Sequence, residues 1–490
     1  MSDSLPPGWT VGLLDEVTHD VRSGFASGNK NVQGGLSHLR MNNIGIAGEL
    51  VLDLVRTVPL ALAKPHYLLN PGDVLVCTTN STKLVGKCAF FDLIGRYVFS
   101  NHLTRLRPVS QLADGKFLRW NLWVLWKSGY FDEKCKNWVN QSTLPKEDLL
   151  NTSVLIPPLP EQRRIVAKLE KLLDKVDSCQ RRLAKIPVLL KRFRQSVLEA
   201  ACSGKLSSDY REESLGEIQD DVLPDASTAD GEEEPEEIPE TWRWVRFGRI
   251  VRELRNGVSP RPNIEPPGTP VLRISAVRSG SVDLADVRFL QHAEKFLLQY
   301  SLEEDDLLFT RYNGSLELLG ICGMVRRLGA RTILYPDKLM RVRVHGSVLP
   351  GYVEAFFQAP RTHERLIAKA KSSAGQNGVS GSDLKIQPFA YPPVPEQKEI
   401  VRRVDELFSL ADQVEVRYAK AKEHVDTLKQ SILAKAFRGE LVPQDPNDEP
   451  AAPLLERIRE DRASQRSGPS VKKADKFRSS RKRKARANPI

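Results

Sequence analysis

Two loops, one in each half of the chain, carry side chains of the types that recognise the edges of nucleic-acid bases. The first loop is residues 78–83 (TTNSTK) and the second is residues 311–315 (RYNGS). Their hydroxyl, amide, ammonium and guanidinium groups are the donors and acceptors that contact bases in a DNA groove. Each loop follows a short apolar run, at 74–77 or 307–310, which predicts that a strand holds the loop in place.

Two further pairs of polar segments extend this candidate surface. Residues 40–43 (RMNN) correspond to residues 273–275 (RIS), and residues 140–143 (NQST) correspond to residues 375–378 (GQNG). Such residues are also common in solvated turns, and that interpretation stays open for each loop. Their recurrence at matched positions in two halves favours binding. The candidate DNA-binding residues are Arg40, Asn42, Asn43, Thr79, Asn80, Lys83, Gln141, Thr143, Arg273, Arg311, Asn313, Ser315, Gln376 and Asn377.

Motifs of the common catalytic sites are missing from the sequence. The chain has no G-x-x-x-x-G-K-[ST] phosphate loop, no H-E-x-x-H and no G-x-G-x-x-G after a strand. The segments IPPL (156–159) and YPPV (391–394) lack the polar and aromatic residues of an amino-methyltransferase signature. Asp337 and the DLK string at 383–385 imitate a nuclease carboxylate set, but such short strings arise by chance. We therefore expect no catalytic residue, no metal site and no cofactor in this chain.

The two halves of the chain are copies of one unit. Residues 157–166 (PPLPEQRRIV) match residues 392–401 (PPVPEQKEIV), and residues 195–206 match residues 430–441 without a gap. A repeat of this length indicates a duplicated domain rather than a solenoid. Between the matched segments the halves differ almost completely, so the repeat predicts one framework that carries two different surfaces.

Each half opens with a globular region of mixed secondary structure. Short alternating runs at 74–79, 307–312 and 339–344 predict strands, and the segments 116–137 and 350–371 look helical. The predicted fold class is therefore α+β, with two globular mixed α/β domains separated by long helices.

A long helix follows each globular region. Apolar residues recur in steps of three and four from Ile165 and from Ile400, which predicts a coiled-coil seam in which the two copies pack together. Pro187 lies inside the first helix and predicts a bend without a break. Gly204 and Gly439 are expected to end the two helices. The residues assigned to the helix starts and the seam are Pro160, Glu161, Gln162, Ile165, Leu169, Leu172, Pro395, Glu396, Gln397, Ile400, Val404 and Leu407.

Charge and composition are those of an ordinary water-soluble protein, with a weak preference for a polyanionic partner. The net charge is +11, with 28% charged and 40% hydrophobic residues. Residues 212–240 are strongly acidic and residues 472–486 are strongly basic, and both are interpreted as solvated segments. The six cysteines form no C-x-x-C pair and are interpreted as small buried residues. No apolar run suits a membrane helix and MSDSLPPGW is not an export signal, so we expect no membrane partner and a cytoplasmic location.

The doubled segments PPLPEQ and PPVPEQ, the matched helix ends, and the segments Gly72–Leu75 and Asp306–Arg311 give the chain a resemblance to a known family. Over residues 5–445 it resembles the DNA-specificity (S) subunit of a Type I restriction-modification enzyme. The resemblance implies two target-recognition domains, each reading one half of a split, asymmetric sequence in double-stranded DNA. It also implies two antiparallel helices that act as a ruler between the half-sites.

The same resemblance implies a subunit that has no enzymatic activity of its own and works inside a larger complex. Such a subunit docks two modification subunits, which carry S-adenosylmethionine and methylate adenine. It also docks restriction subunits, which hydrolyse ATP with Mg²⁺ and translocate DNA. The helix-start and seam residues are then the candidates for subunit docking.

These observations divide the chain into six regions. The predicted boundaries are 1–155 for target-recognition domain 1, 156–208 for conserved helical region 1, 209–238 for an acidic linker, 239–389 for target-recognition domain 2, 390–443 for conserved helical region 2 and 444–490 for a basic, disordered tail.

Two other functions stay open at this point. The chain could be a non-catalytic adaptor whose coiled-coil arms bridge partners and whose heads bind protein. It could also be a nuclease or methyltransferase with degenerate motifs, in which case the purified chain alone would act on DNA.

Overall fold

The structure is a computed structural model, and it describes residues 5–28, 31–62, 64–137, 141–213, 236–278, 281–373 and 376–467. The chain forms two compact units. Unit 1 is Met1–Gln180 with Glu423–Ile490, and unit 2 is Arg181–Lys422. Each unit therefore combines one globular head with helical segments from both copies of the repeat. The predicted boundaries between heads and helices follow the sequence repeat and stay predictions.

The head of unit 1 is built from short strands and helices. Its strands are β1 Thr10–Leu13, β2 Thr18–Ser23, β3 Leu36–Leu39, β4 Arg56–Val58, β5 Val74–Cys77, β6 Thr79–Asn80, β7 Cys88–Phe90, β8 Tyr97–Phe99, β9 Leu103–Pro108, β10 Lys136–Asn137, β11 Ser142–Thr143 and β12 Ser153–Ile156. Its helices are α1 Leu14–Val17, α2 Gly115–Lys127, α3 Lys146–Leu150 and α4 Leu159–Leu183.

The centre of unit 1 is an antiparallel four-stranded sheet with the strand order β2-β9-β5-β7. Strand β5 (VLVC) is buried along its whole length. Val74 and Val76 join one apolar cluster, whereas Leu75 and Cys77 join another. This alternation is what a strand with apolar groups on both faces requires, and it confirms the strand predicted here.

Helix α2 is shorter than the predicted helical segment 116–137. It begins after Asp114, whose Oδ1 accepts two of the first N–H groups of the helix at 3.0 Å. The helix ends at Lys127, and Gly129 then adopts a φ of +81° that a helix does not allow. The predicted helix is therefore wrong beyond Lys127, where the chain turns and forms β10.

Unit 2 contains a second head of the same kind and most of the second-copy helix. Its strands are β13 Arg243–Arg246, β14 Val251–Asn256, β15 Thr269–Leu272, β16 Val277–Arg278, β17 Ser281–Val282, β18 Val287–Leu290, β19 Leu307–Thr310, β20 Tyr312–Asn313, β21 Cys322–Met324, β22 Leu339–Val344, β23 Lys371–Ser373, β24 Gln376–Gly378 and β25 Pro388–Tyr391. Its helices are α5 Ile186–Cys202, α6 Ser208–Glu213, α7 Phe247–Ile250, α8 Glu294–Tyr300, α9 Pro350–Gln358, α10 Pro360–Ile367, α11 Gly381–Lys385 and the start of α12 Val394–Phe437.

The central sheet of unit 2 repeats that of unit 1. Its antiparallel strand order is β14-β22-β19-β21, and β22 covers the predicted strand 339–344. The predicted helix at 350–371 is divided into α9 and α10, because Ala359 is extended and Pro360 starts a new helix. This second helix ends at Ile367.

In unit 1, helix α4 packs antiparallel against the last part of α12. Asp177 pairs with Lys429 at 3.4 Å, and Gln180 Nε2 donates to Asp426 at 2.9 Å. Residue numbers therefore increase along one helix as they decrease along the other, which makes the two helices antiparallel. Apolar residues of both helices also join the core of the head, so the helices and the head form one unit.

In unit 2, helix α5 packs antiparallel against the first part of α12. Arg194 pairs with Asp412 at 2.6 Å and with Glu415 at 3.0 Å. Further along, Arg403 of α12 pairs with Asp209 of α6 at 2.5 Å. The prediction of antiparallel long helices between α+β heads is confirmed.

The first-copy helix is interrupted between α4 and α5. Helix α4 ends at Leu183, and α5 begins at Ile186 with Pro187 as its second residue. Pro187 has no N–H to donate to the Leu183 carbonyl, and its ring crowds that carbonyl. The prediction of a bend without a break is therefore wrong. Gly204 and Gly439 both adopt a φ of +73° after their helices, which confirms the predicted caps.

Helix α13 (Ala451–Ser467) occupies part of the segment 444–490 that was predicted to be a disordered tail. Leu455 is buried in the core of unit 1, and Arg459 Nε donates to Glu16 at 2.7 Å. The prediction of disorder is therefore wrong for α13. Apolar residues at helical spacing pack this segment against the core of unit 1 although the tail as a whole is basic.

The two strongly charged runs lie largely outside the described residues. The structure does not describe the basic run 472–486, nor residues 214–235 of the predicted acidic linker 209–238. The first residues of that linker form α6, which is bonded to unit 2 through Arg211 and Asp209. The predicted start of the linker at residue 209 is therefore wrong, because the first residues of that segment form α6.

The cysteines differ in burial. Cys77, Cys88 and Cys322 are buried, as the sequence predicts, whereas Cys179 is exposed on α4. Burial raises the pKa of Cys88 to about 12, so this thiol stays protonated at neutral pH.

Candidate nucleic-acid interface

Ion pairs between a half-buried arginine and a buried aspartate occupy the same framework positions in both units. In unit 1, Arg107 Nε and Nη2 donate to Asp73 at 2.8 and 3.0 Å. In unit 2, Arg343 Nε and Nη2 donate to Asp306 at 2.6 and 3.1 Å. These hydrogen bonds to aspartate raise the pKa of both arginines. Strands β5 and β19 begin beside the two aspartates, so the ion pairs fix the strands from which the polar loops leave.

A small three-stranded sheet formed by β6, β10 and β11 follows β5, and we call it the small sheet of unit 1. Strand β6 pairs with β11 so that Thr79 faces Thr143 and Asn80 faces Ser142. The hydroxyl oxygens of Thr79 and Thr143 lie 3.4 Å apart, and those of Thr82 and Ser142 lie 2.7 Å apart. The two loops therefore form one hydroxyl-rich surface, in which Thr79, Thr82 and Thr143 are half-exposed and Ser142 is buried.

Three other candidates of unit 1 lie in or beside its small sheet. Asn80 Oδ1 accepts the N–H of Ser81 at 2.8 Å, and Gln141 is exposed next to β11. Lys83 is exposed, and its Nζ lies 2.6 Å from Asp132. The hydrogen bond to Asp132 raises the pKa of Lys83, which is therefore a cation at neutral pH.

The small sheet of unit 2 is formed by β20, β23 and β24 and follows β19. Strand β20 pairs with β24 so that Tyr312 faces Gly378 and Asn313 faces Asn377. The guanidinium carbon of Arg311 lies 4.7 Å from the centre of the Tyr312 ring. This surface presents a cation on an aromatic ring at the place where unit 1 presents hydroxyls.

The remaining candidates of unit 2 also belong to this sheet or its turn. Asn313 Oδ1 accepts the N–H of Ser315 at 3.1 Å, and Ser315 is exposed. Gln376 lies in β24, where its Cα pairs with that of Ser373. The structure therefore collects five of the unit 2 candidates around one small sheet.

The segments at Arg40 and Arg273 lie outside the small sheets, beside β3 and β15. Asn43 is fully buried, and its amide accepts the N–H of Arg40 at 2.9 Å and donates to the Val51 carbonyl at 2.8 Å. Asn42 is exposed. These bonds give Asn43 a framework role, which does not favour its prediction as a DNA contact.

Arg273 is held inside unit 2 by an acidic neighbour. Its Nη1 donates to Asp286 at 3.2 Å, and the hydroxyl of Ser275 binds the same carboxylate. The guanidinium already has a partner, so it is a weaker candidate than Arg311. The contacts of all fourteen candidate residues with DNA stay predictions.

Four residues that shape the small sheets are missing from the predicted set. They are Thr82, Ser142, Tyr312 and Gly378. The signal that could have found them is the repeat itself, because positions 79 and 143 in unit 1 match positions 312 and 378 in unit 2. Their importance depends on a pairing between segments far apart in the chain, which local patterns do not reveal.

The glutamine that recurs at both helix starts joins each helix to its own head. Gln162 is buried, donates to the carbonyls of Leu112 and Pro157 at 2.8 and 2.9 Å, and accepts the N–H of Asp114 at 2.8 Å. Gln397 accepts the N–H of Leu349 at 2.9 Å in the same way. The amide groups of both glutamines are hydrogen-bonded within their own units, so they are not available to a partner subunit.

The glutamate that precedes each glutamine is also buried, but its surroundings differ between the units. Glu396 accepts hydrogen bonds from Ser207 Oγ at 2.6 Å, from Trp242 Nε1 at 2.8 Å and from the guanidinium of Arg211. The Oε1 atom of Glu161 has no hydrogen-bond partner among the described residues. Burial raises the pKa of Glu161, which Trp9 and other neighbours offset only in part.

The other helix-start and seam residues fall into three classes of burial. Pro160 and Pro395 are exposed, Ile165, Leu169, Ile400 and Val404 are buried, and Leu172 and Leu407 are half-buried. The buried residues join the cores of the heads. Their prediction as seam residues fits this burial, whereas subunit docking by these residues stays a prediction.

Four tryptophans, Trp9, Trp123, Trp126 and Trp242, are buried in the cores of the two heads. Trp120 is half-buried, and the guanidinium carbon of Arg119 lies 3.9 Å from its ring centre.

Metal-binding groups and membrane-spanning helices are both absent among the residues that the structure describes. Within it, no group of three or more His, Cys, Asp or Glu side chains is placed to hold a metal ion. Among the same residues, no helix combines the length and apolar character needed to span a membrane. Asp383, a member of the nuclease-like string, is the third residue of α11 and accepts the N–H of the helix cap Ser380 at 2.8 Å.

Comparisons with known proteins point to one family. The family model described as the Type I restriction modification DNA specificity domain matches residues 42–188. The Type I restriction enzyme EcoKI specificity subunit of Escherichia coli (strain K12) is 38% identical over 473 residues, which cover 94% of this chain and 97% of that protein. The StySPI specificity subunit of Salmonella potsdam is 30% identical over 479 residues, which cover 94% and 96%.

Two solved structures share the fold. One is a chain from work on complex assembly and conformational transition of the type I R-M system, with a TM-score of 0.59, 21% identity, and coverage of 89% of this chain and 99% of that one. The other is the HsdS subunit from Thermoanaerobacter tengcongensis, with a TM-score of 0.55, 20% identity, and coverage of 90% and 99%. At these sequence identities, the structural similarity supports a shared fold and carries no conclusion about function.

Proposed function

The chain belongs to the specificity subunits of Type I restriction enzymes, and from this premise we propose that each of its two units reads one half of a split, asymmetric DNA target. The observation that carries the proposal is the pair of small sheets. They occupy the same place after β5 and β19, they pair in the same register, and they carry different side chains. A shared framework with different polar surfaces is what the recognition of two different base sequences requires.

The residue types of the small sheets suit direct contact with base edges. Hydroxyl and amide groups on unit 1 donate and accept hydrogen bonds, and a guanidinium on unit 2 donates two in parallel. Lys83 adds an exposed cation beside the first sheet; it is paired with Asp132, so a phosphate would replace that carboxylate as its partner. We include Thr79, Asn80, Lys83 and Thr143 in the unit 1 interface, and Arg311, Asn313, Ser315, Gln376 and Asn377 in that of unit 2.

The catalytic steps belong to partner subunits in this proposal. Two modification subunits would bring S-adenosylmethionine and methylate adenine, and restriction subunits would hydrolyse ATP with Mg²⁺. The support is family membership together with the repeat, since a duplicated framework offers two equivalent docking places. The expected location is the cytoplasm, where the DNA and the partner subunits meet.

The exposed apolar side chains of the helices are a suitable surface for a partner subunit. In unit 2 they are Val188, Leu189, Phe193, Leu410, Val414 and Val416. Large apolar side chains on helices that already pack against each other point to a further protein contact. We propose that modification subunits cover them. Leu189→Glu is expected to reduce co-purification of the modification subunit, whereas Lys191→Gln on the same helix leaves it unchanged; equal co-purification by both variants would contradict this surface.

The spacing between half-sites is proposed to depend on the length of the helices. Helix α12 is 44 residues long and contributes to both units. Removing one heptad from both helical regions shortens each by about 10 Å, or about three base pairs of duplex. The preferred spacer should then change or the target should be lost. An unchanged spacer in the methylated sites would refute the ruler.

The test of the proposed function is a methylation map of the assembled complex. The chain, combined with its modification subunits, is expected to methylate adenines in one bipartite DNA sequence with a fixed spacer. Methylation with no sequence preference would contradict the proposal. The adaptor alternative predicts that removing this chain leaves the methylated sequence unchanged, and family membership does not favour it.

A further inference from the structure

Arg311 and Tyr312 lie at a position where the small sheets of the two units differ in chemistry. Tyr312 faces Gly378 across the small sheet of unit 2, and the matched pair in unit 1 is Thr79 with Thr143. The residue before each pair differs as well, since Arg311 matches the buried Thr78. One unit therefore places a guanidinium and a ring at the position where the other places hydroxyls.

The backbone of Arg311 is fixed while its side chain is left for a ligand. Its N–H donates to the Lys338 carbonyl at 2.8 Å, and its carbonyl accepts the N–H of Val379 at 3.0 Å. The guanidinium lies over the Tyr312 ring. Among the described residues it has no carboxylate or carbonyl partner, unlike Arg273, which is paired with Asp286.

Gly378 determines where the Tyr312 ring lies. A Cβ atom on residue 378 would fall 2.6 Å from Tyr312 Cε1 and 2.8 Å from Cδ1. The ring can lie over the neighbouring strand only because that strand has no side chain there. The ring in turn supports the guanidinium by a cation–π contact, which limits the directions that Arg311 explores.

We propose that Arg311 is a specificity-determining residue that reads a guanine in the half-site bound by unit 2, with Tyr312 and Gly378 as positioning residues. The inference rests on the proposed function and adds a base identity to it. A planar guanidinium matches the O6 and N7 acceptors of guanine in the major groove, whereas a lysine cannot make both bonds in a fixed plane. Unit 1 lacks this arrangement, so its half-site is read by other groups.

The experiment uses the complex of this chain with its modification subunits and a DNA library that is randomised across the whole target. Methylated molecules are sequenced, and the base preference at each position is compared between variants. Arg311→Ala is expected to lower the preference for guanine at one position of one half-site by about tenfold or more. Arg311→Lys should lower it to a similar extent because the parallel pair of hydrogen bonds is lost.

Gly378→Ala tests the positioning role without touching the guanidinium. The added Cβ must displace the Tyr312 ring, so the guanine preference at the same position should fall while Arg311 is still present. Lys338→Ala is the matched control, because Lys338 is an exposed neighbour that contacts Arg311 only through its backbone. We expect this control to retain the guanine preference.

The other half-site serves as an internal control for folding, because the same molecules must still select it. Unchanged preferences at every position in Arg311→Ala would overturn the inference. A uniform loss over all sequences with a weaker salt dependence would also overturn it, since that pattern marks a phosphate contact. If the unaltered complex selects no bipartite target, the proposed function fails; if it does and Arg311→Ala keeps the guanine, only this inference fails.

Discussion

The small sheets of the two units have the same pairing and different means of holding their polar groups. In unit 1 the facing pair is Thr79 and Thr143, whose hydroxyls lie 3.4 Å apart. In unit 2 the facing pair is Tyr312 and Gly378, and a ring replaces the hydroxyl contact. The strands that carry both sheets are fixed by equivalent ion pairs, each with a buried aspartate. The comparison shows that a framework can stay constant while two facing residues change the chemistry of its surface.

The helix starts give a second comparison, in which the motif is the same and the electrostatics differ. Glu396 is bonded to Arg211 and Ser207, whereas Glu161 has no cation in hydrogen-bond contact among the described residues. The residue that matches Ser207 in the repeat is Val442, which cannot donate a hydrogen bond. We therefore expect the glutamate of this motif to stabilise unit 2 more than unit 1.

Removing the framework arginines is the change with the largest expected effect, and it tests whether the units are equivalent. Arg107→Met and Arg343→Met each leave a buried aspartate without its bidentate partner, which costs about 3–5 kcal/mol. Hydrogen–deuterium exchange of peptides from β5 and β19 measures the two units separately. Each substitution should destabilise its own unit by a similar amount. A large loss of stability in one unit and none in the other would show that the two ion pairs are not equivalent.

The two glutamates should differ when they are removed. Glu396→Ala removes the acceptor of Trp242 and Ser207 and the carboxylate partner of Arg211, which costs about 2–4 kcal/mol. Glu161→Ala removes a buried carboxylate that lacks a cation in contact, so its cost should be smaller. Hydrogen–deuterium exchange near each helix start measures the loss of local stability in both variants. Equal losses would show that Glu161 has a partner as strong as that of Glu396.

The pH dependence of unit 1 follows from Glu161. Burial raises its pKa in the folded chain, so the folded state binds more protons than the unfolded state between the ordinary and the raised pKa. The contribution of this group to stability is therefore largest below the ordinary glutamate range and is lost as the pH rises through the raised pKa. Glu161→Gln should flatten this dependence and make unit 1 more stable at neutral pH than the wild type.

The control for this pH prediction is Glu396→Gln in unit 2. That substitution weakens a charge-assisted contact with Arg211, so it should destabilise unit 2 at neutral pH. Unfolding midpoints of both variants between acidic and neutral pH give the comparison. A Glu161→Gln chain that is less stable than the wild type at neutral pH would contradict the account.

Loss of a single hydroxyl in unit 1 should have the smallest effect. Thr143→Ala removes one neutral side-chain contact to Thr79, worth about 0.5–1.5 kcal/mol. The selectivity of the first half-site should fall a few-fold at most, and the second half-site should not change. Library methylation measures both halves, and a loss as large as that expected for Arg311→Ala would mean that the hydroxyl pair matters as much as the guanidinium.

The sequence predicts the parts of this architecture that local patterns encode. The repeat identifies the helix starts at 157–166 and 392–401, and the strand at 339–344 is visible from alternation. Gly204 and Gly439 are identifiable as helix caps, because only glycine adopts their positive φ without strain.

Other features depend on contacts between distant segments, which no local pattern contains. The pairing of β6 with β11 joins residues about sixty positions apart. The role of Gly378 becomes visible only when Tyr312 is placed above it. The break before Ile186 was missed because the apolar spacing continues through Pro187 although the backbone bond does not.

The central claim is that each unit reads its own half of the DNA target independently. The most direct measurement replaces residues 5–150 with the matching head of another specificity subunit and maps methylated adenines for the assembled complex. The account predicts that one half of the target changes while the other half keeps its sequence. A target in which both halves change, or neither does, would contradict it.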